Sequence, residues 1–302
     1  MVSLVAEKVI SIDVMKICVT GSSGRAGRAV VADLTEHGHQ VTGTDLVPAR
    51  GGVAPAAFLR ADLTDYGEAV EVLAGVDAVV QLANIPAPGL RTPSETFNQN
   101  VAMNFNVFQA ASQAGVGRVV WASSETTLGL PFDVPPRYAP VDEDHYPFPT
   151  STYALSKVAS ETIAAEIAQW SGIPFIALRF SNILGPADYE GFPSFWDDLA
   201  TRKWNLWGYI DERDAAMACR LALETEVTAL GGANSASFII AAADTVMTLP
   251  SAELMRQVFP EVPLRGAVTG NSTLLSIDRA RQVLGFQPQH SWRDHLQADA
   301  RG

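Results

Sequence analysis

The chain is poor in cysteine. Its two, Cys18 and Cys219, lie far apart, one in an apolar strand-like run and the other in a late helix-like stretch. That excludes the disulfide framework of a small secreted scaffold and points to a reducing compartment, so a cytoplasmic location is expected. Histidine is scarce too, and the five present (His37, His39, His145, His290 and His295) show no metal-ligand spacing, so no metal site is expected. Basic residues are outnumbered, 21 against 33 acidic ones, giving a net charge of −12. A surface of that sign argues against nucleic acid or an anionic membrane as partner and otherwise favours solubility. No apolar run approaches the roughly 20 residues of a membrane span. In the first segment Glu7, Lys8 and Asp13 break the apolar stretch, which makes it a poor signal peptide. Repeats and low-complexity tracts are missing as well.

With 47% hydrophobic and 18% charged residues in a chain of 302, a sizeable core can be buried. Strand-like and helix-like patterns alternate, which predicts an α/β fold: a Rossmann doubly wound parallel sheet with a smaller C-terminal lobe. The most informative segment is Thr20-Gly21-Ser22-Ser23-Gly24-Arg25-Ala26-Gly27, between the strand-like Lys16-Ile17-Cys18-Val19 and a helix-like stretch from Arg25 to His37. In that setting the glycines let bare backbone approach a pyrophosphate, whose charge rests on the free N–H groups at the helix start. Gly21, Ser23, Gly24, Arg25, Ala26 and Gly27 are therefore candidate dinucleotide contacts. Gln40 to Asp45 reads as the second strand, and Asp45 stands where an acid accepts the adenosine ribose hydroxyls, which favours NAD over NADP. Arg25, Arg28 and Arg50 lie close in sequence and offer cations for a 2′-phosphate, which keeps NADP as the alternative. Asp62 and Leu63 end the third strand and are placed to meet the adenine, with Asp62 also a candidate helix N-cap.

Tyr153 and Lys157 in Ser151-Thr152-Tyr153-Ala154-Leu155-Ser156-Lys157 are four residues apart, on one face of a helix expected to run to about Trp170. A phenol is a poor base near neutrality, but a neighbouring ammonium stabilises the phenolate and is expected to lower its pKa. The strand Val119-Val120-Trp121-Ala122 ends in Ser123 and Ser124, at the carboxyl edge where ligands bind in doubly wound sheets.

Taken together, these motifs resemble the extended short-chain dehydrogenase/reductases of the NAD-dependent epimerase/dehydratase family, over about residues 15 to 220. Thr20 to Gly27 is similar to the family's glycine loop. Asn100-Val101-Ala102-Met103-Asn104 resembles its helix with an active-site asparagine, although Met103 stands where glycine is usual. Ala122 to Gly129 resembles its catalytic serine strand, with Leu128 where tyrosine is common, and Arg179 to Pro186 resembles its loop beside the nicotinamide. The resemblance implies catalytic roles for Ser124, Tyr153, Lys157 and Asn100. It extends the cofactor contacts to Leu82, Ala83, Asn84, Ser123, Phe180 and Asn182. It also implies that folds of this kind begin near Met15, so residues 1–14 are read as an N-terminal extension. Residues 15–180 are then the NAD-binding domain, and 181–302 are mainly substrate lobe, with 205–220 and 237–243 returning to the main domain. A homodimer through a helical face is expected by analogy.

Substrate candidates are Pro86, Ser124, Glu125, Thr126, Asn182, Phe192 and Phe195. The aromatic segments at 192–198 and 204–209 suit packing of the smaller lobe, a dimer surface or a sugar-stacking wall. Family dehydratases carry Asp-Glu after the catalytic hydroxyl residue, where this chain has Glu125-Thr126, so a 4,6-dehydratase is not expected. The stretch between Pro186 and Tyr209 is short and holds only Arg202 and Lys203 as basic residues, a thin clamp for a nucleoside diphosphate. The short lobe is similar to that of uronate dehydrogenases. The expectation is an NAD-dependent dehydrogenase of a small sugar-type substrate, with a nucleotide-sugar epimerase as the alternative and a catalytically silent NAD-binding protein as a third reading.

Overall fold

Strands with apolar residues on both faces need helices on both sides, and alternate residues must then enter different cores. A computed structural model, which describes residues 14–299, shows this arrangement; the expected extension lies, apart from Val14, outside the described residues. Ile17 and Val19 of β1 (Lys16–Thr20) pack with Val30 and Leu34, whereas Cys18 between them packs with Val107 and Phe108 on the opposite face. The same alternation holds in β4 (Ala78–Gln81) and β5 (Arg118–Ala122): Val79 and Val119 face one core, Val80 and Val120 the other.

Seven parallel strands form the sheet in the order β3-β2-β1-β4-β5-β6-β9, where β2 is Gln40–Asp45, β3 Ala57–Arg60, β6 Phe175–Phe180 and β9 Ser235–Ile240. One face carries α1 (Arg25–Glu36), packed on the later helix α6 (Glu212–Glu224) and tied to it by an Arg220–Asp33 ion pair at 2.9 Å. The other carries α2 (Tyr66–Val72), α3 (Pro93–Ala114) and α4 (Thr152–Ser171). Ser151 caps α4 by accepting from the Ala154 N–H at 3.1 Å, and Gly172 ends it in the left-handed conformation at φ 75°. The third strand stops at Arg60, short of the expected end, and the cap of α2 is Asp65, which accepts from the Glu68 N–H at 3.1 Å. Asp62 is not that cap; it closes a tight turn on the Thr64 N–H at 3.0 Å instead.

The smaller lobe begins with β7 (Ile183–Leu184), which pairs in parallel with β8 (Ile210–Asp211), and α5 (Pro186–Tyr189) lies between them in sequence. The aromatic core of this lobe joins Tyr189, Phe192, Tyr209 and Trp292, the last at the start of α9 (Trp292–Asp299). Helices α7 (Ser251–Val258) and α8 (Asp278–Leu284) complete it. No helix among the described residues is long and apolar enough to cross a membrane.

Candidate active site

The strand order reverses between β1 and β4, and beyond their carboxyl ends opens a cleft of about 850 Å³. Thr20 fastens this point: its hydroxyl donates to the Gln81 side chain and accepts from the N–H groups of Leu82 and Ala83 at 3.0 and 3.2 Å. The chain turns at Gly21 with φ 61°, and a Cβ there would stand 2.8 Å from the Ala83 nitrogen. At Gly27 a Cβ would lie 2.1 Å from the Gly21 carbonyl oxygen, so only glycine lets α1 seat on the loop. No side chain caps the start of α1 and no acid lies in its first turn, which leaves its N–H groups for an anion.

Gly21, Gly24, Arg25, Ala26, Gly27, Asp45, Asp62, Leu63, Leu82, Ala83 and Asn84 all line the cleft, so the residues present fit a dinucleotide. Ser23 does not line it; its N–H donates to Asp45 at 3.1 Å and its hydroxyl to the Val47 carbonyl at 2.6 Å, which makes it a support for Asp45. Arg25 reaches across to the other lobe, paired with Asp188 of α5 and 4.0 Å from Glu212 of α6, and that pairing raises its pKa.

Ser123, Ser124, Tyr153 and Lys157 meet at the far end of the same cleft. Lys157 is 1% exposed and its Nζ donates to the Ala122 carbonyl at 2.7 Å. Burial lowers its pKa to about 7, against a smaller raising effect of Glu161. The Tyr153 phenol is pushed up to about 12 by burial, with the Ser124 hydroxyl opposing and the Glu125 carboxylate adding to the rise. The expected lowering by Lys157 is thus not found in the protein alone, because loss of hydration acts on both groups and favours their neutral forms. Thr126 orients Ser124, donating to its Oγ from its hydroxyl at 2.9 Å and its N–H at 3.2 Å. Ser123 donates to Glu161 at 2.5 Å, and Arg179 grips the same carboxylate in two bonds of 2.9 and 2.7 Å, which ties α4 to β6.

Asn100, expected to be catalytic, is fully buried and does not line the cleft. Its side chain accepts from the Ile85 N–H at 2.7 Å and donates to the Ile85 carbonyl at 3.1 Å, so it clamps the loop that presents Ile85 and Pro86. A second asparagine on α3, Asn104, joins Gln81 to Ser160 of α4 through bonds of 3.0 and 2.9 Å.

Pro86, Ser124, Glu125, Thr126 and Asn182 line the substrate end. Phe192 and Phe195 do not. Phe192 is 1% exposed inside the aromatic core, and Phe195 packs against it at 5.8 Å between ring centres, so neither forms a sugar-stacking wall. Trp204 lines the cleft beside Tyr153 and Phe180, whereas Arg91 and Gln99, which line it too, lie in no motif that the sequence singles out. Beneath this end Arg202 is buried between Phe195 and Trp204, 5.3 and 5.0 Å from their ring centres, and donates to the Gly208 carbonyl at 3.0 Å. The Glu125 carboxylate faces it, raised to about 7 by burial against the lowering influence of Ser181, Asn205 and Arg202.

Such a cleft can hold a carbinol against Ser124 and Tyr153 beside a dinucleotide. Residues 17–231 match the NAD dependent epimerase/dehydratase family. The chain is 28% identical over 311 residues to a UDP-glucose 4-epimerase of Corynebacterium glutamicum, covering 92% of each. It is 30% identical over 268 residues to a 2-alkyl-3-oxoalkanoate reductase of Stenotrophomonas maltophilia, covering 82% of this chain and 76% of that one. Among solved structures, it superposes with a TM-score of 0.72 and 25% identity on a short-chain dehydrogenase/reductase superfamily protein of Agrobacterium tumefaciens with bound NAD, covering 95% and 96% of the two chains. The chain belongs to the NAD-dependent epimerase/dehydratase family of short-chain dehydrogenase/reductases, an enzyme of oxidoreductase chemistry whose cofactor is NAD.

Proposed function

We propose that this enzyme is a dehydrogenase that oxidises one carbinol of a small polyhydroxy substrate, a free sugar, a sugar acid or a similar polyol. The observation that carries this is the burial of Arg202: it serves Glu125, Gly208 and two aromatic rings, and is not presented to the cleft. Among the described residues, the cation that lines the substrate end beyond Lys157 is Arg91, whose side chain is 63% exposed and 3.9 Å from Glu95. Burying a diphosphate without cationic partners costs several kcal/mol, whereas neutral hydroxyls suit this lining.

Bound NAD supplies the hydride acceptor. Tyr153, as the phenolate that a protonated Lys157 favours, would take the carbinol proton, Ser124 would hold the same oxygen, and Lys157 would hold the ribose. Asp45 would receive the adenosine ribose, Asp62 and Leu63 the adenine, and Leu82, Ala83, Asn84, Phe180 and Asn182 would enclose the cofactor. The enzyme is assigned to the cytoplasm, in keeping with its unpaired buried cysteines. A homodimer is assigned through α3 and α4, where Phe105 and Leu155 are 44% and 46% exposed.

Incubation with NAD and a panel of free sugars, uronates, polyols and UDP- and dTDP-sugars tests the reading. NADH should accumulate with a member of the first three groups. The second reading is a nucleotide-sugar epimerase, favoured by the similarity to UDP-glucose 4-epimerases. It replaces the first if a nucleotide sugar is interconverted with no net NADH and every free sugar is ignored.

A further inference from the structure

Ten buried side-chain polar atoms among the described residues lack a hydrogen-bond partner of good geometry, and four of them gather at one place: Glu125 Oε2, Ser181 Oγ, Arg202 Nε and Asn205 Oδ1. Buried polar groups are normally paired, so a cluster of orphans beside a cleft calls for a ligand. Glu125 and Ser181 line the cleft; Arg202 and Asn205 lie behind them. Asn205 Nδ2 donates to Glu125 Oε1 at 3.3 Å and to the Gly208 carbonyl at 2.9 Å, the carbonyl that also receives Arg202. Glu125 is 3% exposed, so one carboxylate oxygen is anchored from behind by Asn205, while the other has Ser181 and the Asn182 backbone near it but no well-aligned partner. Gly208 lies so close that a Cβ there would sit 3.0 Å from Ser181 Oγ, so a side chain at this position would crowd the serine.

We propose that Glu125 Oε2 and the Ser181 hydroxyl bind a second hydroxyl of the substrate, on the carbon next to the carbinol held by Ser124 and Tyr153, so that the enzyme selects vicinal diols. The proposal rests on the dehydrogenase reading for the position of the reacting carbinol. Ser124 and Glu125 are consecutive, with Cα atoms about 3.8 Å apart, both line the cleft, and Glu125 is near enough to raise the Tyr153 pKa, which is why the second hydroxyl is placed on the adjacent carbon. One hydroxyl satisfies both orphans, donating to the carboxylate and accepting from the serine. A site built to hydrogen-bond a hydroxyl rejects the analogue that lacks it far more strongly than an apolar pocket distinguishes a methylene.

The test measures binding of cis- and trans-cyclohexane-1,2-diol and of cyclohexanol to the NAD-loaded protein, by calorimetry and by fluorescence of the cleft residue Trp204. One diol should bind at least about tenfold more tightly than cyclohexanol, as loss of a hydrogen bond to a charged group implies. The preference should vanish in Glu125→Gln and shrink in Ser181→Ala, while NAD affinity is unchanged. Diols that bind no better than cyclohexanol, or a preference that survives in both variants, overturn the proposal and leave the orphans to solvent. Because the readout is binding and not turnover, it fails independently of the NADH assay that decides between dehydrogenase and epimerase.

Discussion

Lys157 Nζ donates to the Ala122 carbonyl, and through this single bond α4, which carries the phenol, is fastened to the last residue of the strand that delivers Ser124. The bond keeps the ammonium in place while burial drives it toward neutrality. Between about pH 7 and its ordinary value of 10.5, the native protein binds fewer protons at Lys157 than the unfolded chain does. Stability from this residue therefore rises with pH across that window and is lower below it. Thermal unfolding from pH 6 to 10 should show the wild type gaining on Lys157→Met as pH rises; parallel curves would contradict the burial.

Glu125 predicts the opposite slope. Its folded pKa of about 7 exceeds the ordinary 4.5, so the stability it contributes is full below 4.5 and lost as pH rises through 7, with Arg202 and Tyr153 the groups that face it. Glu125→Gln should therefore be more stabilising relative to wild type at pH 8 than at pH 5 in denaturant titrations.

Tyr153→Phe should keep the fold and the affinity for NAD while turnover falls by about 10²–10⁴-fold, the usual contribution of a positioned proton donor. Steady-state NADH formation beside an NAD titration checks this. Near-normal turnover would remove Tyr153 from the chemistry.

Asp45 accepts from the N–H groups of Ser23 and Leu46 at 3.1 and 2.7 Å, which holds its carboxylate at the end of β2. Asp45→Ala should shift the preference for NAD over NADP by roughly 1–3 kcal/mol, through loss of a charge-assisted bond and relief of repulsion. Equal or tighter binding of NADP by the unmodified protein would sink the ribose assignment and point to the nearby arginines.

Gly27→Ala places a Cβ within 2.1 Å of the Gly21 carbonyl oxygen, with no flexible side chain to move aside. The start of α1 must shift off its loop. NAD binding should be lost or weakened at least about tenfold, together with a lower melting temperature, a combination that surface substitutions do not produce.

Much of this was legible from local signals. The glycine loop, β2 ending at Asp45 and the Tyr153–Lys157 face each depend on residues within one strand-turn-helix unit, where spacing fixes geometry. The floor under Glu125 was not legible, because Ser181, Arg202 and Asn205 come from segments distant in sequence and no short motif joins them. Aromatic composition could not separate the buried Phe192 from the cleft residue Trp204, since both burial and stacking reward large rings. Asn100 carried a family signature, yet its amide is taken up by both backbone groups of Ile85. The direction of the Tyr153 shift needed the depth of the pocket, which pairwise spacing along a helix does not reveal.

Strand β9 also sets how much of the chain the substrate end depends on. The Ser181 N–H donates to the Ile240 carbonyl at 2.9 Å, the Ala242 N–H to the Tyr209 carbonyl at 2.7 Å, and Phe175 to Phe180 pair with Ser235 to Ile240. The Ser181 end of the cleft thus hangs on a strand far along the chain from the nucleotide loop, and the parallel crossover between β6 and β9 closes a long loop. A chain that stops before β9 retains the glycine loop, the Tyr153 helix and the floor residues in sequence but loses the strand against which β6 and Ser181 are held. Loss of β9 should therefore weaken the substrate end before the glycine loop.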